Sequence, residues 1–217
     1  MVFGLMKPRR VRALHFVRCG LAAVLSLAFT ARAAENSPAE WFGQYEPRAR
    51  EAYDFQLNDP SGLPVRLSDF RGKVVLLSFG FTNCPGICPS TLAALARVSN
   101  GLPEKNRLQL VFVTLDPGRD TPERLCTFVS AFDKSIASLT GDPQTIGTVA
   151  AAYGVSFKKI PGATDSPADY GIEHSTHVYL IDPEGRLRER FRFEQLPEHE
   201  RITADVERIL SLSGSRP

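Results

Sequence analysis

Acidic residues are absent from the first 33 positions of this 217-residue chain, cysteine is scarce, and tryptophan occurs once. Each shortage excludes something. The leading segment carries six basic residues, Lys7, Arg9, Arg10, Arg12, Arg18 and Arg32, around an uncharged run of 13 residues from Cys19 to Ala31. A membrane-spanning helix needs about 20 apolar residues, so the run is short for an anchor. Its basic start, apolar middle and Ala31-Arg32-Ala33 ending fit a cleaved export signal over residues 1–33. The compact apolar stretch favours bacterial secretion over a mitochondrial presequence. Cleavage after Ala33 leaves 184 residues with 20 basic and 24 acidic side chains, a net charge of −4. That balance speaks against a nucleic-acid-binding surface, and the length suits one domain with a full core. Four cysteines become three once Cys19 is removed with the signal. An odd count excludes a purely structural disulfide framework and points to one working pair, Cys84 and Cys88, with Cys126 left over.

What is present is concentrated in Cys84-Pro85-Gly86-Ile87-Cys88-Pro89. Before it, Val74 to Phe81 reads as a buried strand; after it, Ser90 to Val98 reads as an amphipathic helix. On one helical turn, residues four apart lie about 6 Å apart at Cα, within reach of a disulfide and on one face for a shared metal. Both chemistries stay open at this point. A helix N-terminus lowers a thiol's pKa through unpaired N–H groups and the helix dipole, and the thiolate serves either chemistry.

The remainder reads as one domain from about residue 54. Residues 34–53 form an N-terminal arm, because Glu35 to Ala49 sustains neither a helical nor a strand period. Phe55 to Leu57 and Val65 to Leu67 flank the turn Asn58 to Gly62 as a small hairpin. Leu108 to Leu115 is a second core strand, and strand, helix, strand in this order is a parallel crossover. Thr121-Pro122 and Asp142-Pro143 open two helices, the second stopped at Gly154. His177 to Ile181 is a strand, Asp182 to Gly185 a turn, Leu187 to Phe193 the antiparallel partner, and Pro197 to Leu212 a last helix.

This order, with a cysteine pair between the first core strand and its helix, resembles a thioredoxin fold: α/β, a central mixed sheet flanked by helices, with an added N-terminal hairpin. Three segments narrow the resemblance: Thr82 to Pro89, Val113 to Pro122, and His174 to Gly185. Together they resemble the Sco/SenC family of copper-delivery proteins, over about Asp54 to Leu210. The resemblance implies copper ligands Cys84, Cys88 and His174, and as recipient the copper centre of cytochrome c oxidase subunit II or another exported apo-cuproprotein. It also implies a periplasmic setting, with membrane contact only through the partner or an uncleaved signal. Two departures stand out. Gly86 lies where the family commonly carries an acidic residue, and Glu173 where it carries Asp. Two thiolates and an imidazole are a soft set suited to Cu(I), whereas structural zinc closes with four protein ligands.

Rival roles follow from the same residues. Cys84 as nucleophile and Cys88 as resolving thiol would make a thiol–disulfide oxidoreductase that keeps the recipient's cysteines reduced, served by a reductase partner of its own. The three-residue spacer and the lack of a proline before the Val178 strand oppose that reading. A peroxidatic site is not recognisable. His177 is the alternative third ligand, Cys126 reads as a buried inert thiol, and His199 as a solvated residue of the last helix. Arg186, Arg188, Arg190 and Arg192 recur every second residue and so share one strand face, expected to be solvated, with docking of an acidic partner as the alternative.

Overall fold

The computed structural model describes Met1 and residues 41–164, 166 and 169–214. The expected export signal, apart from Met1, and the first part of the arm lie outside the described residues. Among the described residues, ten strands and four α-helices follow in order: β1 Gln44–Glu51, β2 Gln56–Asn58, β3 Pro64–Arg66, β4 Val74–Gly80, α1 Ile87–Gly101, β5 Leu108–Thr114, α2 Pro122–Ser130, β6 Ala137–Leu139, α3 Pro143–Ala152, β7 Phe157–Pro161, β8 Tyr170–His174, β9 Val178–Ile181, β10 Arg186–Phe191 and α4 His199–Gly214. Among the described residues no helix is long and apolar enough to cross a membrane.

Six strands form one mixed sheet in the order β1-β10-β9-β4-β5-β6. β4, β5 and β6 run parallel, β9 runs antiparallel to β4, and β10 and β1 continue antiparallel to the edge. The parallel pair β4 and β5 needs a crossover, which α1 supplies. Alternate residues of the central strands enter two cores. Val74, Leu76, Leu110, Phe112, Val178 and Leu180 meet α1, α2 and α4 on one face. Val75, Leu77, Phe79, Val111, Val113, Tyr179 and Ile181 meet α3 and the β2–β3 hairpin on the other. Both faces are covered, so β4 is buried at every position. This is the thioredoxin-like arrangement with the added hairpin.

Local chemistry explains the helix starts. The Thr121 hydroxyl accepts from the Arg124 N–H, and the Asp142 carboxylate from the Thr145 N–H at 2.9 Å, with Pro122 and Pro143 as first helical residues. Gly154 ends α3 at φ +70°, a left-handed position that glycine takes without strain.

Three features differ from the sequence reading. Residues 44–51 of the expected arm form strand β1, paired with β10 through a register shift between Tyr45 and Arg50. Just ahead of it, Trp41 is buried in the core. β7 and β8 form a separate two-stranded ribbon where no strands are expected. The arginines of β10 do not share a solvated face, because a bulge between Leu187 and Glu189 shifts the register by one residue. Leu187 therefore faces the α3 core and Phe191 the opposite one. Arg188 is buried against Asp182 and Tyr45, Arg186 pairs with Asp182 and Glu184, and Arg190 pairs with Glu46. Arg192 alone is exposed. The bulge also turns Glu189 inward, fully buried, towards Asp205 of α4; these two carboxyls accept the N–H groups of Gly43 and Phe42.

Candidate metal centre

α1 begins at Ile87, so Cys88 sits in its first turn and Cys84 in the preceding turn rather than on the helix. The two remain coupled: the Cys88 N–H donates to Cys84 Sγ at 3.3 Å. Cys84 is half-buried, Cys88 is 3% exposed, and both are free thiols. Their environments separate them. The Cys88 thiol donates to Cys84, and although burial opposes ionisation, the N–H groups of Cys88, Gly86 and Ile87 add to the pull, so the Cys84 pKa falls to about 5. Cys88 moves the other way. Its proton is held by the bond to Cys84, burial disfavours its thiolate, and the nearby negative charges of Cys84 and Asp120 add to that.

His174 ends β8, and its Nε2 stands 3.9 Å from Cys88 Sγ. Its Nδ1 lies 2.8 Å from the Ser175 carbonyl oxygen. A carbonyl only accepts, so Nδ1 carries a proton and Nε2 is the nitrogen that faces the Cys88 sulfur. The Phe81 ring meets the imidazole edge-on at 6.0 Å. Phe81, Cys88 and Ile172 make a small apolar cluster, with Cys84, Phe128, Phe157 and Tyr170 packed around it. That cluster shields one side of the donors from water. One groove that includes His174 is lined by Ser156, Phe157, Lys158 and Glu173, and a second groove is lined by Thr82, Glu123, Arg124 and Phe128.

Gly80 is a part of the site that sequence reasoning missed. A Cβ there would stand 2.8 Å from Cys88 Sγ and 2.9 Å from the Phe112 ring, so only glycine leaves room for the buried thiol. A glycine ending an apolar strand is the available signal for such an approach. Gly86, by contrast, has nothing within 4 Å of a built Cβ.

Other candidates stand elsewhere. His177 lies against the Tyr179 ring at 6.4 Å, and burial, followed by the charge of Arg190, lowers its pKa. Cys126 is exposed on α2, not buried, because Leu125 and Val129 take the core-facing positions. His199 is half-buried at the start of α4, 3.5 Å from Glu200, rather than solvated. Glu173 points outward and pairs with Lys158 at 2.9 Å.

The comparisons with known proteins agree with this architecture. The SCO1/SenC pattern matches residues 43–211, starting at the β1 edge rather than at residue 54. The chain belongs to the SCO1/SenC family. An SCO2-like protein of Rickettsia felis is 32% identical over 176 residues, covering 80% of this chain and 85% of the relative. The apo Sco1 structure from Thermus thermophilus superposes with a TM-score of 0.70 at 37% identity, covering 77% and 95% of the two chains. Copper-bound ScoI of Bradyrhizobium japonicum gives a TM-score of 0.66 at 34% identity, covering 74% and 99%.

Two sulfurs, one with a thiol pKa near 5, and one imidazole nitrogen facing Cys88 are side chains whose chemistry suits a soft ion. Among the described residues no three such side chains are already gathered closely enough to hold an ion.

Proposed function

We propose that the protein is a copper chaperone in which Cys84, Cys88 and His174 hold one copper ion as cargo and pass it to an exported cuproprotein. Cytochrome c oxidase subunit II is the recipient that the family resemblance implies. The observation that carries the reading is the 3.9 Å approach of His174 Nε2 to Cys88 Sγ from 86 positions away in the chain. Copper bound to a 34% identical relative supports the choice of metal. A metal ion displaces the proton of a thiol it binds, so the high pKa of Cys88 makes loading pH-dependent rather than forbidden. Transfer proceeds by ligand exchange: an incoming thiolate or imidazole replaces one donor at a time, and the ion is never released to water. The groove that His174 lines leaves room for that approach. The setting proposed is the periplasm, with residues 1–33 as the export signal and the protein soluble or held at the inner membrane.

A second reading, a thiol–disulfide oxidoreductase for the recipient's cysteines, draws on the inequality of the two thiols. A low-pKa nucleophile and a buried resolving thiol are what exchange chemistry uses. One experiment separates the two. His174→Ala should abolish assembly of the recipient's copper centre under limiting copper while leaving thiol–disulfide exchange nearly intact. Full assembly by that variant, with failure confined to Cys84→Ser and Cys88→Ser, would replace the chaperone with the oxidoreductase. Loss of binding with His177→Ala instead would move the third ligand to His177.

A further inference from the structure

The turn Asp116 to Asp120, which follows β5, supplies no donor to the site yet touches both halves of it. Asp116 and Asp120 are each 1% exposed, so their carboxylates need internal partners. Asp120 accepts from the Thr82 N–H at 3.0 Å, the Thr82 hydroxyl at 2.6 Å and the Thr114 hydroxyl at 2.6 Å. Thr82 precedes Cys84 by two residues. On the other side of the turn, Asp116 pairs with Arg119 and accepts from the Tyr170 hydroxyl at 2.6 Å. Arg119 Nη1 donates to the Tyr170 carbonyl at 2.7 Å, and its guanidinium carbon lies 3.4 Å from the centroid of the Tyr170 ring. Tyr170 begins β8 and His174 ends it.

The ribbon of β7 and β8 shares no ladder with the main sheet. A two-stranded ribbon is marginally stable alone, so side-chain anchors must decide where its end stands. We infer that Arg119 is a positioning residue: by joining Asp116 to Tyr170 it sets where His174 stands relative to the Cys84 turn, which Asp120 holds from the other side. The inference rests on the copper-binding reading above. Arginine suits the task because one planar group meets a carboxylate, a carbonyl and a ring face at once, which an ammonium cannot do.

The test compares Arg119→Lys in the wild-type and His174→Ala backgrounds. In the copper-free protein, NMR should show the Phe81–His174 ring contact weakened and amide exchange raised in β8, with β4 and β5 unchanged. In Cu(I) competition titrations, Arg119→Lys should lower affinity by up to about tenfold, the low end of what loss of a group bonded directly to a metal ligand costs, because Arg119 acts through Tyr170, and it should cost nothing further once His174 is gone. An unaltered ring contact, or an equal loss in both backgrounds, overturns the inference. Tyr170→Phe removes only the bond to Asp116 and should shift the same readouts less, which covers a failure of Arg119→Lys to fold. Absence of copper binding by the wild-type protein would end the chaperone reading, while the copper-free ring contact would still decide the role of Arg119.

Discussion

The Cys88 N–H donates to the sulfur of Cys84 at 3.3 Å, so the two thiols of one short motif are electrically unequal. Cys84 should alkylate first, with a rate that follows a titration near pH 5, while buried Cys88 stays unmodified in the folded protein. Because the Cys88 side chain is the largest cause of the lowered value, Cys88→Ala should return Cys84 towards an ordinary thiol. Thiolate absorbance against pH, with mass-spectrometric mapping of the alkylated site, checks both outcomes. Equal labelling of the two at neutral pH would contradict the geometry.

Gly86→Asp should raise the Cys84 pKa by two routes. A carboxylate beside the sulfur opposes its charge. At the N-cap of α1 the same carboxylate competes for the Cys88 N–H that now serves Cys84. The space is open, so the fold should change in stability by only a few tenths of a kcal/mol, the usual difference between glycine and aspartate at an N-cap. The reduction potential of the Cys84–Cys88 pair should shift more than Cu(I) affinity; equilibration with glutathione and a Cu(I) competition assay give the two numbers.

Gly80→Ala should destabilise the protein by about 1–3 kcal/mol, the usual cost of an extra methyl group in a filled core. The clash falls on Cys88 Sγ and the Phe112 ring, so the variant should also weaken copper binding. Denaturant unfolding measures the first effect and a Cu(I) titration the second. An unchanged unfolding midpoint would mean that the thiol side moves aside freely.

The buried Glu189 and Asp205 carboxyls predict an unusual pH slope. Burial first, then the neighbouring Asp205 carboxylate, raise the Glu189 pKa. Burial raises that of Asp205 as well. A carboxyl whose folded-state pKa lies above its unfolded value holds its proton better when folded. Its stabilising contribution is full below the ordinary carboxyl range and is lost as pH rises through the raised value. From about pH 5 through neutrality this pair therefore contributes a falling unfolding free energy, opposed by Cys84, whose lowered folded-state pKa acts with the opposite sign over the same range. Glu189→Gln should make stability rise more steeply with pH over that range in chemical denaturation curves, and an unchanged pH dependence in the variant would refute the assignment.

What could be read along the chain was what neighbouring residues decide. The strand before Cys84, the helix after it and the caps at Thr121 and Asp142 are local, and each stands within a few residues of its expected place. His174 was legible only through its motif, since a lone histidine at a strand end carries no signal of the thiols it will meet. The pairings decided at long range were illegible. β1 has no period of its own because its register shifts at the edge of the sheet, and the arginine series of β10 loses its single face at the bulge by Leu187. Asp116 and Asp120 lie in the segment Val113 to Pro122 that carries the family resemblance, but nothing adjacent announces that Thr82 and Tyr170 will close on them. Gly80 read as one more residue of the buried strand Val74 to Phe81, because the sulfur it admits approaches from a different element.

The donors differ in when they come together. Cys84 and Cys88 are neighbours in any conformation of the chain, whereas Cys88 and His174 are 86 residues apart and meet only after the sheet and the β7–β8 ribbon are in place. An unfolded chain can thus already grip a cuprous ion between two sulfurs. Affinity of the unfolded state for a ligand subtracts from the stabilisation that ligand gives the native state. On the chaperone reading proposed above, the rise in melting temperature on adding Cu(I) would report the imidazole's share, and a nascent chain that met copper before folding would hold the metal through a two-point grip that the folded protein later completes.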